Sequence, residues 1–322
     1  MYYKSHRAFT LLELIFVIVI LGIVASVGSS IIAQVFGGYI TQRAVHDASL
    51  KTELAINQLS NRLSYRINDS LLARKPGSTQ NRPGTDFFGT RIVPVGERGQ
   101  FSALEWIGYD NDSFEAYQRP RWSGFCDLDA PHTHFLRIFS PGSLHGDTEG
   151  NMYAIKEYYN PGIINVRGGA IRFMTSQYND ANASKTYSPN CMYAGAFNGC
   201  MFRVGLGPRR VLTFTPFAAG DRENHHMAYS DFYQYAISAF ALVPEKKSTI
   251  NGVDVFDLNF HYGYQPWEGE HYQDGKSATL IKNVSVFRFR EEENSIRIKL
   301  CIIERISETD QISICKEKAV IR

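Results

Sequence analysis

One carboxylate stands inside the most apolar stretch of the chain. The run "HRAFTLLELIFVIVILG" covers residues 6–22, and after its first three positions Glu13 is its only charged side chain. A charged carboxylate at the centre of a membrane-spanning helix costs roughly 2.5–3.5 kcal/mol, and such residues usually have a partner. Because Glu13 lies near one end of the run, it can reach the membrane interface in a single chain. The residues alone therefore fit an ordinary membrane anchor, or a secretory signal cleaved near the small residues Ser26 and Gly28.

The apolar residues from 9 to 32 are numerous enough to cross a bilayer as one helix. About 24 residues rise roughly 36 Å at 1.5 Å each, which is enough to cross the hydrocarbon layer with some tilt. Lys4 and Arg7 precede this segment. Because cations favour the cytoplasmic side, the sequence predicts a short cytoplasmic N-terminus, one span, and nearly all of the remaining chain outside.

The stretch Ala8, Phe9, Thr10, Leu11, Leu12, Glu13 resembles the class III signal of type IV pilins and type II secretion pseudopilins. In that family a short basic leader precedes a small residue, then Phe-Thr-Leu-x-Glu and an unbroken apolar helix. The resemblance implies that a prepilin peptidase cuts between Ala8 and Phe9, so that residues 1–8 are a cleaved cytoplasmic leader. It also implies methylation of the new N-terminal Phe9, while the helix stays in the bacterial inner membrane as its single span.

The same resemblance implies a role for Glu13 in assembly. Cleavage creates a cationic amine on Phe9, and the Glu13 carboxylate of one subunit can meet the amine of its neighbour when helices bundle in a hetero-oligomeric filament. Breaking one side of a buried ion pair typically loses about 3–5 kcal/mol, so the pair would fix the register between subunits.

The helical pattern continues beyond the membrane segment. Apolar residues recur at steps of three and four, which predicts one helix over residues 9–73 whose second half packs on a globular domain. The proline and glycine residues of "RKPGSTQNRPG" forbid its continuation. The predicted stripe consists of Val45, Ala48, Thr52, Ile56, Leu59, Leu63, Ile67 and Leu71, widened by Leu50 and Leu54.

Short runs of β-branched and aromatic residues dominate the chain from about residue 85. The sequence thus predicts an α+β fold, with the long N-terminal helix packed on a large antiparallel β-rich domain over residues 74–322. In "NSIRIKLCII" the apolar residues alternate with polar ones, which predicts the middle strand of a closing three-stranded meander. The other strands are predicted at 101–109, 135–139, 170–175, 210–215, 232–243 and 253–262.

The C-terminal pattern resembles the last sheet of the larger minor subunits, the J-type pseudopilin and the W-type minor pilin. A domain this large would crowd a regularly repeating filament, which favours a low-copy position at the tip or in the initiation complex. A minor pilin of a type IV pilus, acting in adhesion, motility or DNA uptake, is the alternative within this class. The alternative from another class is a membrane-anchored or exported binding module.

Five cysteines lie in the part predicted to be periplasmic, an oxidising compartment. Cys301 and Cys315 fit opposite positions of one hairpin, and a bond between them would contribute about 3 kcal/mol in the chain-entropy model. Cys191 and Cys200 flank a glycine-containing loop and form the second candidate pair, which leaves Cys126 odd. Sequence does not fix the connectivity, and free buried thiols remain the alternative.

Catalytic, metal and nucleic-acid sites have little support in the sequence. Cys126, His132 and His134 lie near one another, but no second ligand pair follows at a zinc-like spacing. No nucleophile elbow or phosphate-binding glycine loop is present, so we expect neither an enzyme nor a cofactor. The net charge is +2, and removing Lys4 and Arg7 leaves a neutral body, which gives no argument for a nucleic-acid partner.

Overall fold

A long helix and two antiparallel sheets make up the described part of the protein, which confirms the predicted α+β class. The structure is a computed structural model, and it describes residues 10–67, 70–77, 87–89, 102–114, 122–133, 137–143, 169–174, 201–206, 211–214, 230–292 and 295–321. The helices are Leu11–Ser64 (α1) and Asn111–Phe114 (α2). The strands are Leu72–Arg74 (β1), Phe87–Gly89 (β2), Ala103–Gly108 (β3), Arg137–Phe139 (β4), Ala170–Phe173 (β5), Phe202–Leu206 (β6), Val211–Phe214 (β7), Tyr233–Ala236 (β8), Ser238–Ile250 (β9), Val253–Tyr264 (β10), Lys276–Glu292 (β11), Ser295–Arg305 (β12) and Gln311–Ile321 (β13).

The second half of α1 packs on the domain through one face, as the apolar pattern predicted. The buried residues of α1 are Ala48, Thr52, Ala55, Ile56, Leu59, Ser60 and Leu63. Val45, predicted on this face, is exposed because it precedes the first buried residue of α1, Ala48. The part of the prediction that added Leu50 and Leu54 to this face is also wrong, because both side chains are about half exposed. Each residue turns the helix by about 100°, so a position two residues from a buried one points to the opposite side.

The prediction that the helix reaches residue 73 is also wrong, because α1 ends at Ser64. The chain continues in an extended form alongside β3: the Ile67 N–H donates to the Ile107 carbonyl at 2.8 Å, and the Tyr109 N–H donates to the Tyr65 carbonyl at 2.9 Å. Ile67 is fully buried in this conformation. Apolar spacing favoured burial at these positions, but backbone pairing with β3 replaced the helical hydrogen bonds.

The larger sheet has the order β13-β12-β11-β10-β9-β3-β1-β2, and every neighbouring pair in it is antiparallel. Its last three strands form the predicted meander. The predicted apolar row of β12 is buried against α1 and consists of Ile296, Ile298, Leu300 and Ile302. On the opposite face of β12, Arg297 and Lys299 are exposed, whereas Cys301 and Ile303 are buried.

The smaller sheet has the order β4-β7-β6-β5-β8. Residues 232–243, predicted as one strand, form parts of both sheets, because the chain leaves the smaller sheet after β8 and enters the larger one at β9. Ile237, which separates these strands, lies at a bend. A continuous apolar run predicts burial on both faces but does not show where the chain changes sheets.

Candidate assembly site on the N-terminal helix

Thr10 and Glu13 close the first turn of α1 with reciprocal hydrogen bonds. The Glu13 N–H donates to Thr10 Oγ1 at 3.3 Å, and Glu13 Oε2 accepts from the Thr10 N–H and from its hydroxyl, both at 3.1 Å. This arrangement is a capping box, in which two backbone donors at the helix start find side-chain acceptors. In a single chain the Glu13 carboxylate therefore has a partner within its own first turn.

Sequence reasoning identified Glu13 but missed the role of Thr10 as the helix N-cap. The pattern that would have identified the cap is Thr-x-x-Glu directly before an apolar run, which predicts a helix start. Ala8 and Phe9, the predicted cleavage and methylation positions, lie outside the described residues.

The first half of α1 carries an uncovered apolar surface. From Leu11 to Ile40, every large apolar side chain is at least half exposed. This helix is long and apolar enough to cross a membrane, and no residue of its most apolar window is buried in the domain. Exposed apolar surface on this scale marks contact with a membrane or with other protein chains.

Polar contacts fix the second half of α1 at the edges of its buried face. Lys51 Nζ lies 3.1 Å from Glu304 Oε1 on β12. On β13, Lys316 Nζ lies 3.3 Å from Glu53 Oε2, and Lys318 Nζ donates to Asn57 Oδ1 at 2.7 Å. The later residue of β13 contacts the later residue of α1, so β13 and α1 are parallel, and both lead away from the apolar half of the helix.

The predicted disulfide bond between Cys301 and Cys315 is present. The two residues are directly opposite in the register of β12 and β13, the strands on which α1 packs. The bond therefore holds together the hairpin that carries the helix. Cys191 and Cys200, the second candidate pair, lie outside the described residues.

Cys126 is a buried free thiol. Its Sγ donates to the Ser230 carbonyl at 3.0 Å. Burial, reinforced by the carboxylates of Asp231 and Asp127, raises the pKa of this thiol to about 12. The thiolate is the reactive form of cysteine, so Cys126 is chemically inert near neutral pH.

No cluster of three or more metal-ligating side chains was found among the residues that the structure describes. His132, which the sequence placed near Cys126, has an exposed side chain, and His134 lies outside the described ranges.

Comparison with known proteins places the N-terminal segment in a recognised class. A family model described as the prokaryotic N-terminal methylation motif matches residues 3–29. The matched range includes the predicted cleavage position and Glu13. No curated protein and no solved structure matches the chain. The chain therefore carries, at the start of a membrane-length helix, the methylation motif of type IV pilin-like proteins.

Proposed function

We propose that this protein is a minor pseudopilin that assembles through its N-terminal helix into the tip or initiation complex of a type II secretion pseudopilus. The observation that carries the proposal is the capped, membrane-length half of α1, which begins within the methylation motif and whose large apolar side chains are all at least half exposed in the described structure. In a filament, packing between the helices of neighbouring subunits would bury this apolar surface. The surface is therefore exposed in the single subunit.

Before assembly, the subunit would be held in the inner membrane by the apolar half of α1. The apolar half of α1 would span the inner membrane with residues 1–8 in the cytoplasm and the β-rich domain in the periplasm. Prepilin peptidase would then cut after Ala8 and methylate the amine of Phe9. The protein would work by assembly alone, with neither an enzymatic activity nor a cofactor.

Glu13 would change partners during assembly. In the single chain its carboxylate accepts hydrogen bonds from Thr10, one residue after the predicted new N-terminus. Within a filament the cationic amine of a neighbouring subunit would replace water at this carboxylate. A charge-assisted hydrogen bond is roughly twice as strong as a neutral one, and it is strengthened further where water is excluded.

Mass spectrometry of the mature N-terminus tests the proposal. We expect a chain that begins with methylated Phe9 when the protein is isolated from cells that contain prepilin peptidase, and a chain with intact residues 1–8 when the peptidase gene is deleted. A mature chain that begins near residue 27 or 29 would instead identify an exported binding module. An uncleaved chain in both strains would identify a plain membrane anchor.

A minor pilin of a type IV pilus would share the same motif, and the sequence pattern of β11–β13 resembles both kinds of subunit. Deletion of the gene separates the two systems. We expect the deletion strain to lose export of folded proteins through the outer membrane and to keep pilus-dependent motility. Loss of motility, adhesion or DNA uptake with normal protein export would assign the chain to a pilus.

A further inference from the structure

Four cations form a compact block on the face of the meander that points away from α1. Arg288 is directly opposite Lys299, and Arg290 is directly opposite Arg297. Because directly opposite residues of an antiparallel pair project from the same face, all four side chains share one surface, and all four are exposed. Like charges at directly opposite positions destabilise a sheet, so the block is not explained by folding.

The four cations of this surface differ in their partners: Arg290 and Arg297 each take part in interactions with other residues. Glu317 on β13 is opposite Lys299 in register, and its carboxylate lies 3.7 Å from Arg297. Arg288 and Lys299 have no ion pair among the described residues. The chain as a whole carries a net charge of only +2, so these cations are concentrated rather than part of a generally basic surface.

The position of the block excludes the membrane surface as its partner. Ile298, which lies between Arg297 and Lys299, is opposite Lys318, and Lys318 contacts Asn57 of α1. Asn57 follows the end of the predicted membrane segment at residue 32 by 25 residues, or about 38 Å of helix. Screening at physiological salt reduces the attraction of lipid headgroups over about 8 Å.

The spacing of the cations fits an extended acidic chain. Residues two apart on a strand, such as Arg288 and Arg290, are separated by roughly 6.8 Å, and opposite residues by roughly 5 Å. Carboxylates on alternate residues of an extended peptide repeat at the same 6.8 Å. Arginine also binds carboxylates through two parallel hydrogen bonds, which adds geometric selectivity.

We propose that this block, made of Arg288, Arg290, Arg297 and Lys299, binds an acidic, extended segment of another protein. The block lies on the opposite side of the sheet from the helix, so in a filament with central helices it would face outward. The outward orientation and the distance from the membrane rest on the proposed function, whereas binding by a single subunit needs no assembly.

Binding of a labelled peptide of alternating glutamate and threonine to the full chain in neutral detergent tests this proposal. Exposed charge contacts contribute little singly, so we expect Arg288→Glu to weaken binding about fivefold and Arg288→Glu with Lys299→Glu at least about tenfold. Lys247→Glu, which makes the same charge change at an exposed lysine of β9, should change the affinity less than about twofold. Wild-type binding should weaken as salt is raised.

Thermal unfolding and assembly provide the second readout. Arg288→Glu places a carboxylate opposite Lys299, so the variant should unfold at a temperature no lower than that of the wild type, and it should still co-purify with sister subunits. Lys299→Gln, which neutralises one charge without reversal, should weaken peptide binding in the same direction if the reversed variant folds poorly.

Three results would overturn the proposal. The first is unchanged peptide binding by Arg288→Glu and Lys299→Gln, and the second is an equal loss in Lys247→Glu. The third is tighter binding of phosphatidylglycerol vesicles or duplex DNA than of the peptide through the same cations. A failure of leader cleavage in the mass spectrometry experiment would remove the proposed function but would leave peptide binding by the single chain to be measured.

Discussion

At the scale of single residues, Glu13 has two separable properties, a cap and a charge. Glutamine at the same position can keep a capping box, whereas it carries no charge. The substitutions Glu13→Gln and Thr10→Ala therefore remove one property each, which no alanine substitution at Glu13 can do.

We expect Glu13→Gln to insert into the membrane normally but to co-purify with sister subunits at less than about a tenth of the wild-type yield, because a loss of 3–5 kcal/mol corresponds to more than a hundredfold in affinity. Thr10→Ala should cost only about 1 kcal/mol of helix stability and should keep most of the assembly. Equal yields for Glu13→Gln and wild type would show that the carboxylate acts only as a cap.

Cys126 provides a second prediction at this scale. With a pKa of about 12 the thiol is only about one part in ten thousand ionised at pH 8, so iodoacetamide should modify Cys126 only after the protein is unfolded. Peptide-level mass spectrometry measures this directly, and modification of the folded protein at the rate of a free thiol would contradict it.

The pH dependence of stability follows from the same thiol. Its folded pKa lies above the unfolded value of 9.0, so the unfolded state releases this proton first as the pH rises. The stabilising contribution is fully present below pH 9.0 and is lost as the pH approaches 12.

At the scale of elements, α1 is one continuous helix whose two halves differ in their surroundings. Its apolar half is uncovered, and its second half is anchored by a buried face and by contacts with β12 and β13. The Cys301–Cys315 bond joins those two strands. The helix and the meander are thus joined by packing, by ion pairs and by a disulfide bond within the meander.

A matched pair of substitutions tests which face of α1 is buried. Ile56→Ala should lower the free energy of unfolding by about 2–5 kcal/mol, because it opens a cavity at a buried position. Leu54→Ala, two residues earlier on the exposed face, should change it by less than about 0.5 kcal/mol. Denaturant unfolding of the full chain in detergent measures both values, and a large effect of Leu54→Ala would show that its face is covered.

At the scale of the whole molecule, α1 divides into an uncovered apolar part, to which we assign assembly, and a part that packs on the domain. A chain beginning at residue 42 keeps every buried residue of the helix and loses the uncovered apolar half. We expect this shortened protein to be folded and monomeric without detergent, with a melting temperature close to that of the full chain.

A chain beginning at residue 65 should not fold. It removes helix side chains from the core that contains Ile298 and Leu300. Burying three large apolar side chains, Ile56, Leu59 and Leu63, at about 1.5–3 kcal/mol each is comparable to the whole stability of a marginal domain. Circular dichroism and gel filtration compare the two proteins, and a well-folded, monomeric product from residue 65 would contradict the role assigned to the helix.

The sequence by itself determined the features that depend on local pattern. The apolar run, Glu13 and the residues before it predicted the membrane-length helix and the methylation motif, because both are read over a few consecutive turns. Alternation in β12 predicted its buried row, and the spacing of Cys301 and Cys315 around one turn predicted their bond.

Only the tertiary structure decided the features that depend on competition between distant segments. The helix stops at Ser64 because β3 offers backbone partners to the residues that follow. The chain changes sheets at Ile237 because β8 pairs within the smaller sheet, whereas β9 pairs with β3 and β10 of the larger sheet. The pairing of Arg288 with Lys299 likewise required the register of β11 and β12, which the alternation within each strand does not specify. Apolar periodicity indicates most of the side chains that are buried, whereas long-range hydrogen bonding selects the backbone conformation that buries them.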